Sequence, residues 1–336
     1  MDQSEAGMGR WRAVLSMVKR LNVGFLRKYA VVFVLLALIL LFSLVSESFF
    51  TLRNLSNIIT QNTYFIIVAI GMSFVLISGG IDLSVGYQMS LVGVMTAMMM
   101  MLWGFPVWAA IVLGLVLGTF LGLINGLIVT RIRTFPLIVT LATSVIFQGV
   151  SYIVSQARTF RDYPAAFQFI AKGRLGGITF DVWLTIFIVI VVSIIYYKTT
   201  WGIRVVALGG NEEALRLAGV NTRRIKTWVY TVCGFLTAVA TMVMISKANS
   251  VQSSFGPGTE FTALTAAIVG GVSFLGGEGN IPALVAGVFV LAVLGNGMQL
   301  AGWGTYPQFI VRGVILLAAV AFDEYQKSLK MKVKTK

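Results

Sequence analysis

Apolar stretches of bilayer-crossing length recur along almost the whole chain, from Tyr29 to Phe322, with mostly short polar turns between them. A helix needs about 20 predominantly apolar residues to span the hydrocarbon core; one such stretch can be an anchor, but a series of them must be a bundle. The runs are continuous rather than alternating, which excludes a barrel of two-sided strands. Charged residues make up 11% of the chain, against about 25% in soluble domains, too few to solvate a fold of this size. The expected class is an all-α polytopic membrane protein with about ten transmembrane helices.

The segments expected to be embedded are 29–46, 61–78, 84–102, 106–130, 135–156, 180–197, 227–246, 260–274, 281–300 and 306–322. The segment 260–274 is short and glycine-rich, so it either crosses or is broken or re-entrant. Irregular backbone at that depth survives only where protein or a watery cavity covers it. Loop charge sets the orientation. With the N-terminus inside, 19 of the 26 basic residues fall on the cytoplasmic side and 6 outside (Arg53, Arg158, Arg161, Lys172, Arg174 and Lys247), with Arg312 alone within a span. The positive-inside rule then places both the N- and C-termini in the cytoplasm. The chain divides into a cytoplasmic N-terminal segment 1–28, a transmembrane domain 29–322 and a basic cytoplasmic tail 323–336. The first run reads as a retained span rather than a cleaved signal, because Glu47, Ser48 and Phe49 follow it in place of a small-x-small site.

Histidine is absent and Cys233 is the single cysteine. An intrachain disulfide and any Ser-His-Asp or Cys-His nucleophile are thereby excluded, and no catalytic or metal-ligating residue is assigned. The net charge of +14 is read as loop charge facing anionic lipid headgroups, not as a nucleic-acid surface. No G-x-x-x-x-G-K-[ST] occurs, so any ATP chemistry has to come from a partner.

One long polar interruption, 198–226, breaks the apolar pattern. It contains a short helix signal: Asn211 as N-cap, Glu212 and Glu213 in the first turn, Leu215 and Leu217 as apolar surface, Arg216 behind them, and Gly219 at the left-handed C′ position. Such a helix either docks a soluble partner or is a solvated connector. The outside loop 157–179 is open to the same two readings.

Gly114, Gly118, Gly122 and Gly126 put small residues on one helix face, for close packing or for sliding, with Asn125 beside them for a bond to a neighbouring helix. Two glycine-rich turns each carry an acid: Gly79 and Gly80 with Asp82, and Gly276 and Gly277 with Glu278. Asp82 and Ser84 are suited to cap the following helix, and a gating role for the carboxylate is the alternative. Polar side chains within the spans include Asn62, Gln88, Gln148, Asn296 and Gln299. Uncharged amides suit a hydroxyl-bearing neutral solute, and each equally suits helix-to-helix hydrogen bonding. Ion-coupled pumps line their path with ionisable groups, and here Arg312 is the one mid-span candidate.

Several runs occur together in order: Asn54-Leu55-Ser56-Asn57-Ile58, Ser78-Gly79-Gly80-Ile81-Asp82-Leu83-Ser84-Val85-Gly86, Ile124-Asn125-Gly126-Leu127 and Phe135-Pro136-Leu137-Ile138-Val139-Thr140-Leu141. Ala207-Leu208-Gly209-Gly210-Asn211, Leu217-Ala218-Gly219-Val220-Asn221, Gly270-Gly271-Val272-Ser273 and Gly276-Gly277-Glu278-Gly279 follow. From 54 to 323 the chain resembles the permease subunits of bacterial ABC importers for monosaccharides, the ribose, xylose, galactoside and autoinducer-2 group. The resemblance implies a type II ABC importer permease fold in the cytoplasmic (inner) membrane. It also implies a second permease copy, a cytoplasmic ATPase that binds ATP and Mg, and an extracytoplasmic sugar-binding protein. The helix from Asn211 to Ala218 would then be the coupling helix that docks into the ATPase. One departure stands out: Thr262 occupies a position where this family usually carries Asp. A branched-chain amino acid importer permease and a stand-alone ion-coupled transporter are the alternatives.

Overall fold

In the computed structural model, residues 30–132 and 134–334 are described. The expected N-terminal segment 1–28 and Arg133 lie outside the described residues, as do the side chains of the tail from 326 onward. The helices are α1 (Ala30–Val45), α2 (Leu52–Gln61), α3 (Thr63–Ile77), α4 (Val85–Met101), α5 (Val107–Arg131), α6 (Pro136–Ser155), α7 (Ala165–Lys172), α8 (Phe180–Lys198), α9 (Thr200–Gly210), α10 (Glu212–Leu217), α11 (Thr222–Ala248), α12 (Thr259–Val269), α13 (Ile281–Leu300) and α14 (Thr305–Lys334). Among the described residues six helices are long and apolar enough to cross a membrane, seven if α2 and α3 form one bent span; α1, α4 and α12 are shorter apolar helices. Each expected segment is occupied by one of these ten apolar elements.

Local sequence explains where the helices start. Pro136 and Pro282 sit in first turns, where a missing N–H costs nothing. Asn221 and Asn280 cap α11 and α13 by accepting from Arg224 N and Ala283 N, each at 3.0 Å.

The bundle is organised around α11, 83% of whose apolar window is buried, whereas that of α14 is 0% buried. The glycine stripe of α5 faces α11 in the most extensive helix pair of the structure. A Cβ at Gly118 would lie 2.5 Å from Ala238 Cβ, and one at Gly122 2.5 Å from Tyr230 O and 2.8 Å from Gly234 Cα. The stripe is therefore a packing surface, brought close enough that only hydrogen fits between the backbones. A second, small apolar cluster joins α1 to α13 through Phe42, Phe49, Val293 and Met298. Leu44, Ile153, Phe187 and Leu317 point outward from α1, α6, α8 and α14, as side chains facing lipid would.

Four expectations are corrected. The expected span 61–78 is the helix α3 from Thr63, but what precedes it is not a loop: α2 joins it at a 40° bend at Asn62. The break frees carbonyls, and side chains satisfy them: Asn62 Nδ2 donates to Ile58 O at 2.7 Å, and the Lys247 ammonium donates to Thr60 O. Lys247 is not a loop cation. It lies in the last turn of α11, half-buried, and pairs with the fully buried Asp181 of α8 at 2.7 Å. The segment 260–274 is helical only to Val269, after which Gly271 N and Val272 N turn back to Ile268 O and Ala267 O. Finally, 198–226 is not one loop: α9 fills its first half, and its last residues already belong to α11. The loop 157–179 holds α7 and three short strands, β1 (Phe160–Arg161), which pairs with β4 (Ser250–Val251), and β2 (Arg174–Leu175), which pairs with β3 (Ile178–Thr179).

Candidate functional site

Two places hold the residues singled out by sequence. The first is an exposed helix joined to a junction of glycines. Asn211 ends α9 and starts α10, its Oδ1 accepting from Ala214 N at 2.9 Å. Glu212 and Glu213 occupy the first turn, where the helix dipole favours them. Glu213 pairs with Arg216 and Glu212 with Lys226 of α11, each at 2.6 Å. Gly219, at φ 81°, closes the helix as Gly219 N and Val220 N bond back to Arg216 O and Leu215 O. No residue of α10 is buried, and Leu217 is 79% exposed.

Behind α10, the end of α9 is wedged between two glycine turns. Gly277 N donates to Ile77 O at 2.9 Å, joining the 276–278 turn to the end of α3. A Cβ at Gly209 would sit 2.6 Å from Gly277 N and nearer still to Ile77 O, while one at Gly276 would lie 2.9 Å from Gly79 N. Three backbones thus touch without side chains between them, so a displacement of α9 is passed on rather than absorbed by rotamers. Asp323 of α14 fastens the same turn by accepting from Ser273 Oγ and Phe274 N, each at 3.0 Å. Glu278 is exposed at its edge.

Gly80 and Asp82 lie one turn away. Asp82 is fully buried, and its Oδ1 accepts from Ser84 N at 2.9 Å and Ser84 Oγ at 2.6 Å. Ser84 makes no side-chain cap on α4, contrary to expectation, because its hydroxyl is turned toward Asp82 and accepts from Asn125 Nδ2 at 2.7 Å. The turn is stitched to α6 and α11 as Thr140 Oγ1 and Tyr230 Oη donate to Ile81 O.

The second place is a cavity of about 530 Å³ between α2, α3, α12, α13 and α14. Asn62, Asn296 and Gln299 line it. Gln88 and Gln148 do not. Gln88 is buried in the helix packing, its Nε2 donating to Gly118 O at 2.7 Å and Gly234 O at 3.3 Å, and Gln148 is half-buried on α6. Asn296 also exchanges hydrogen bonds of 2.8 and 3.0 Å with Asn54 of α2. Asn57 and Gln61 join the lining from α2, and Gln308 and Arg312 from α14. Their signal was present: Asn54, Asn57 and Gln61 recur at helical spacing on one face of α2. Thr262, the departure from the family pattern, faces this cavity and a neighbouring one of about 440 Å³.

The model of a family described as branched-chain amino acid transport system / permease component matches residues 54–320. The chain belongs to this family. It is a permease component, a multi-pass transport subunit of the cytoplasmic membrane rather than an enzyme, and permeases of ABC importers work with an ATPase and a substrate-binding protein. A ribose import permease of Haemophilus influenzae is 33% identical over 301 residues, 88% of this chain and 93% of its own. An L-arabinose transport system permease of Escherichia coli is 36% identical, covering 92% of each chain. A D-allose transport system permease of the same organism is 33% identical over 89% of this permease and 92% of its own length. No solved structure matches this permease.

Proposed function

We propose that this permease moves a monosaccharide or similar small polyol inward across the membrane, driven by ATP hydrolysed with Mg on a separate cytoplasmic ATPase. The relatives named for ribose, L-arabinose and D-allose support a sugar over a branched-chain amino acid. A second permease copy completes the path, and an extracytoplasmic binding protein delivers the solute. Basic residues concentrate in the sequence between α8 and α11, around α9 and α10, which supports a cytoplasmic position for these two helices.

The observation that carries the reading is the join between α10 and the glycine junction. An exposed, capped helix with no fully buried residue is tied, through touching backbones at the end of α9, to the end of α3 and the turn before α13. Closure of the ATPase would push α10, α9 would pass the push to the junction, and the helices around the cavity would reorient. Amide side chains in that cavity offer donors and acceptors to hydroxyl groups without the desolvation cost of an ion.

Reversing the exposed ion pair tests it. Glu213 and Arg216 side chains are 61% and 66% exposed, so E213R and R216E leave the fold intact, since such pairs stabilise by at most about 1 kcal/mol. The variants are expected to lose ATPase co-purification and sugar uptake together. Unchanged assembly and uptake across these variants would sink the coupling role of α10.

A further inference from the structure

Among the described residues, three basic side chains are half-buried: Lys226, Lys247 and Arg312. Lys226 pairs with Glu212 and Lys247 with Asp181. Arg312 pairs with no carboxylate, and no Asp or Glu lines either of the cavities it faces. Its guanidinium lies in the wall they share, beside Tyr64, Phe65 and Thr262. Thr262 is half-buried there and offers only a hydroxyl, already donated to Gly258 O at 3.1 Å. Gly295 of α13 stands across from it, where a Cβ would make ordinary contact with Arg312 Nη2 at 3.5 Å.

A guanidinium is always charged, and one held at membrane depth is costly unless water or an anion meets it. Its planar fork is built for two parallel bonds to an oxyanion. The remaining polar wall is amide and hydroxyl, which recognises a polyol. From this juxtaposition of an uncompensated Arg312 with an amide-lined cavity, we infer that the transported solute carries an oxyanion, most simply a sugar acid whose carboxylate meets Arg312 while its hydroxyls meet the amides. The inference rests on the cavity being part of the sugar path.

Galacturonate and galactose differ only at the group in question and make a clean pair of probes. The permease–ATPase complex in phosphatidylcholine nanodiscs is expected to bind radiolabelled galacturonate at least about tenfold more tightly than galactose, as one charge-assisted bidentate contact allows. R312Q should bring the ratio near one by weakening galacturonate binding far more than galactose binding, and R312K should keep part of the preference. T262D, which supplies a carboxylate of the protein's own, should also abolish it and serves if R312Q does not assemble. A wild-type ratio near one, or a ratio that survives both R312Q and T262D, overturns the proposal while the sugar path stands. Binding of neither sugar overturns the path reading and this proposal with it. Phosphatidylglycerol that co-purifies with wild type but not R312Q, without discrimination between the sugars, assigns Arg312 to a lipid phosphate and overturns the proposal too.

Discussion

Gly209 and Gly210 are adjacent in α9, and alanine at each is expected to act in opposite directions. At Gly210 a Cβ meets nothing within 4 Å. G210A therefore gains only helix propensity, about 0.8–1 kcal/mol for an exposed position. At Gly209 the same propensity gain is overwhelmed. The Cβ would stand 2.6 Å from Gly277 N, where ordinary contact begins at 3.4 Å, and closer to Ile77 O. The turn must retreat by roughly 0.8 Å or more, a displacement that the 2.9 Å Gly277–Ile77 hydrogen bond does not survive. Overpacking of this kind costs about 1–3 kcal/mol and a lost buried hydrogen bond a further 1–3 kcal/mol. Set against the propensity gain, G209A should destabilise by about 1–5 kcal/mol. Thermal unfolding of the two variants in detergent, with ATPase activity and uptake in proteoliposomes, reads the result. G209A should unfold at lower temperature, and where it assembles it should hydrolyse ATP with weakened transport; G210A should match or exceed wild type in both. Equal behaviour of the two variants would refute the argument that backbone contact at Gly209 links α10 to the helix ends.

Removing the cap with N211A should weaken α10 by about 1 kcal/mol, lowering uptake and ATPase co-purification while the unfolding temperature of the bundle hardly moves. K247M strips the buried Asp181 carboxylate of its countercharge and Thr60 O of one of its two donors, an expected loss of about 3–5 kcal/mol. The double variant K247M/D181L should recover much of it, measured as a non-additive unfolding cycle. Q88L removes the two bonds between α4, α5 and α11; it should cost about 1 kcal/mol and leave the ranking of sugars in a binding assay unchanged. A change in that ranking would return Gln88 to the path.

What the sequence determined by itself was whatever depends on a short window of residues. Hydropathy is such a property, so the number and rough placement of the apolar elements could be read directly. Capping is another, and Asn211, Glu212, Glu213 and Gly219 could be assembled into α10 from their order alone. The helix α9 escaped notice because its buried face, Gly202, Val205 and Leu208, is interrupted by Arg204 and two glycines, and because what it packs against lies elsewhere in the chain. Partnerships across the chain were decided only in three dimensions. Asn54 meets Asn296 across 242 positions, and Lys247 meets Asp181 across 66. The five amides looked alike as residue types, yet packing sent Gln88 into the helix interface and Asn62, Asn296 and Gln299 to a cavity. Arg312 likewise reads as one more basic residue until the walls of two cavities show that no carboxylate reaches it. A side chain's type limits what it can bond to; which partner it finds is set by helix packing, and packing is a property of the whole bundle.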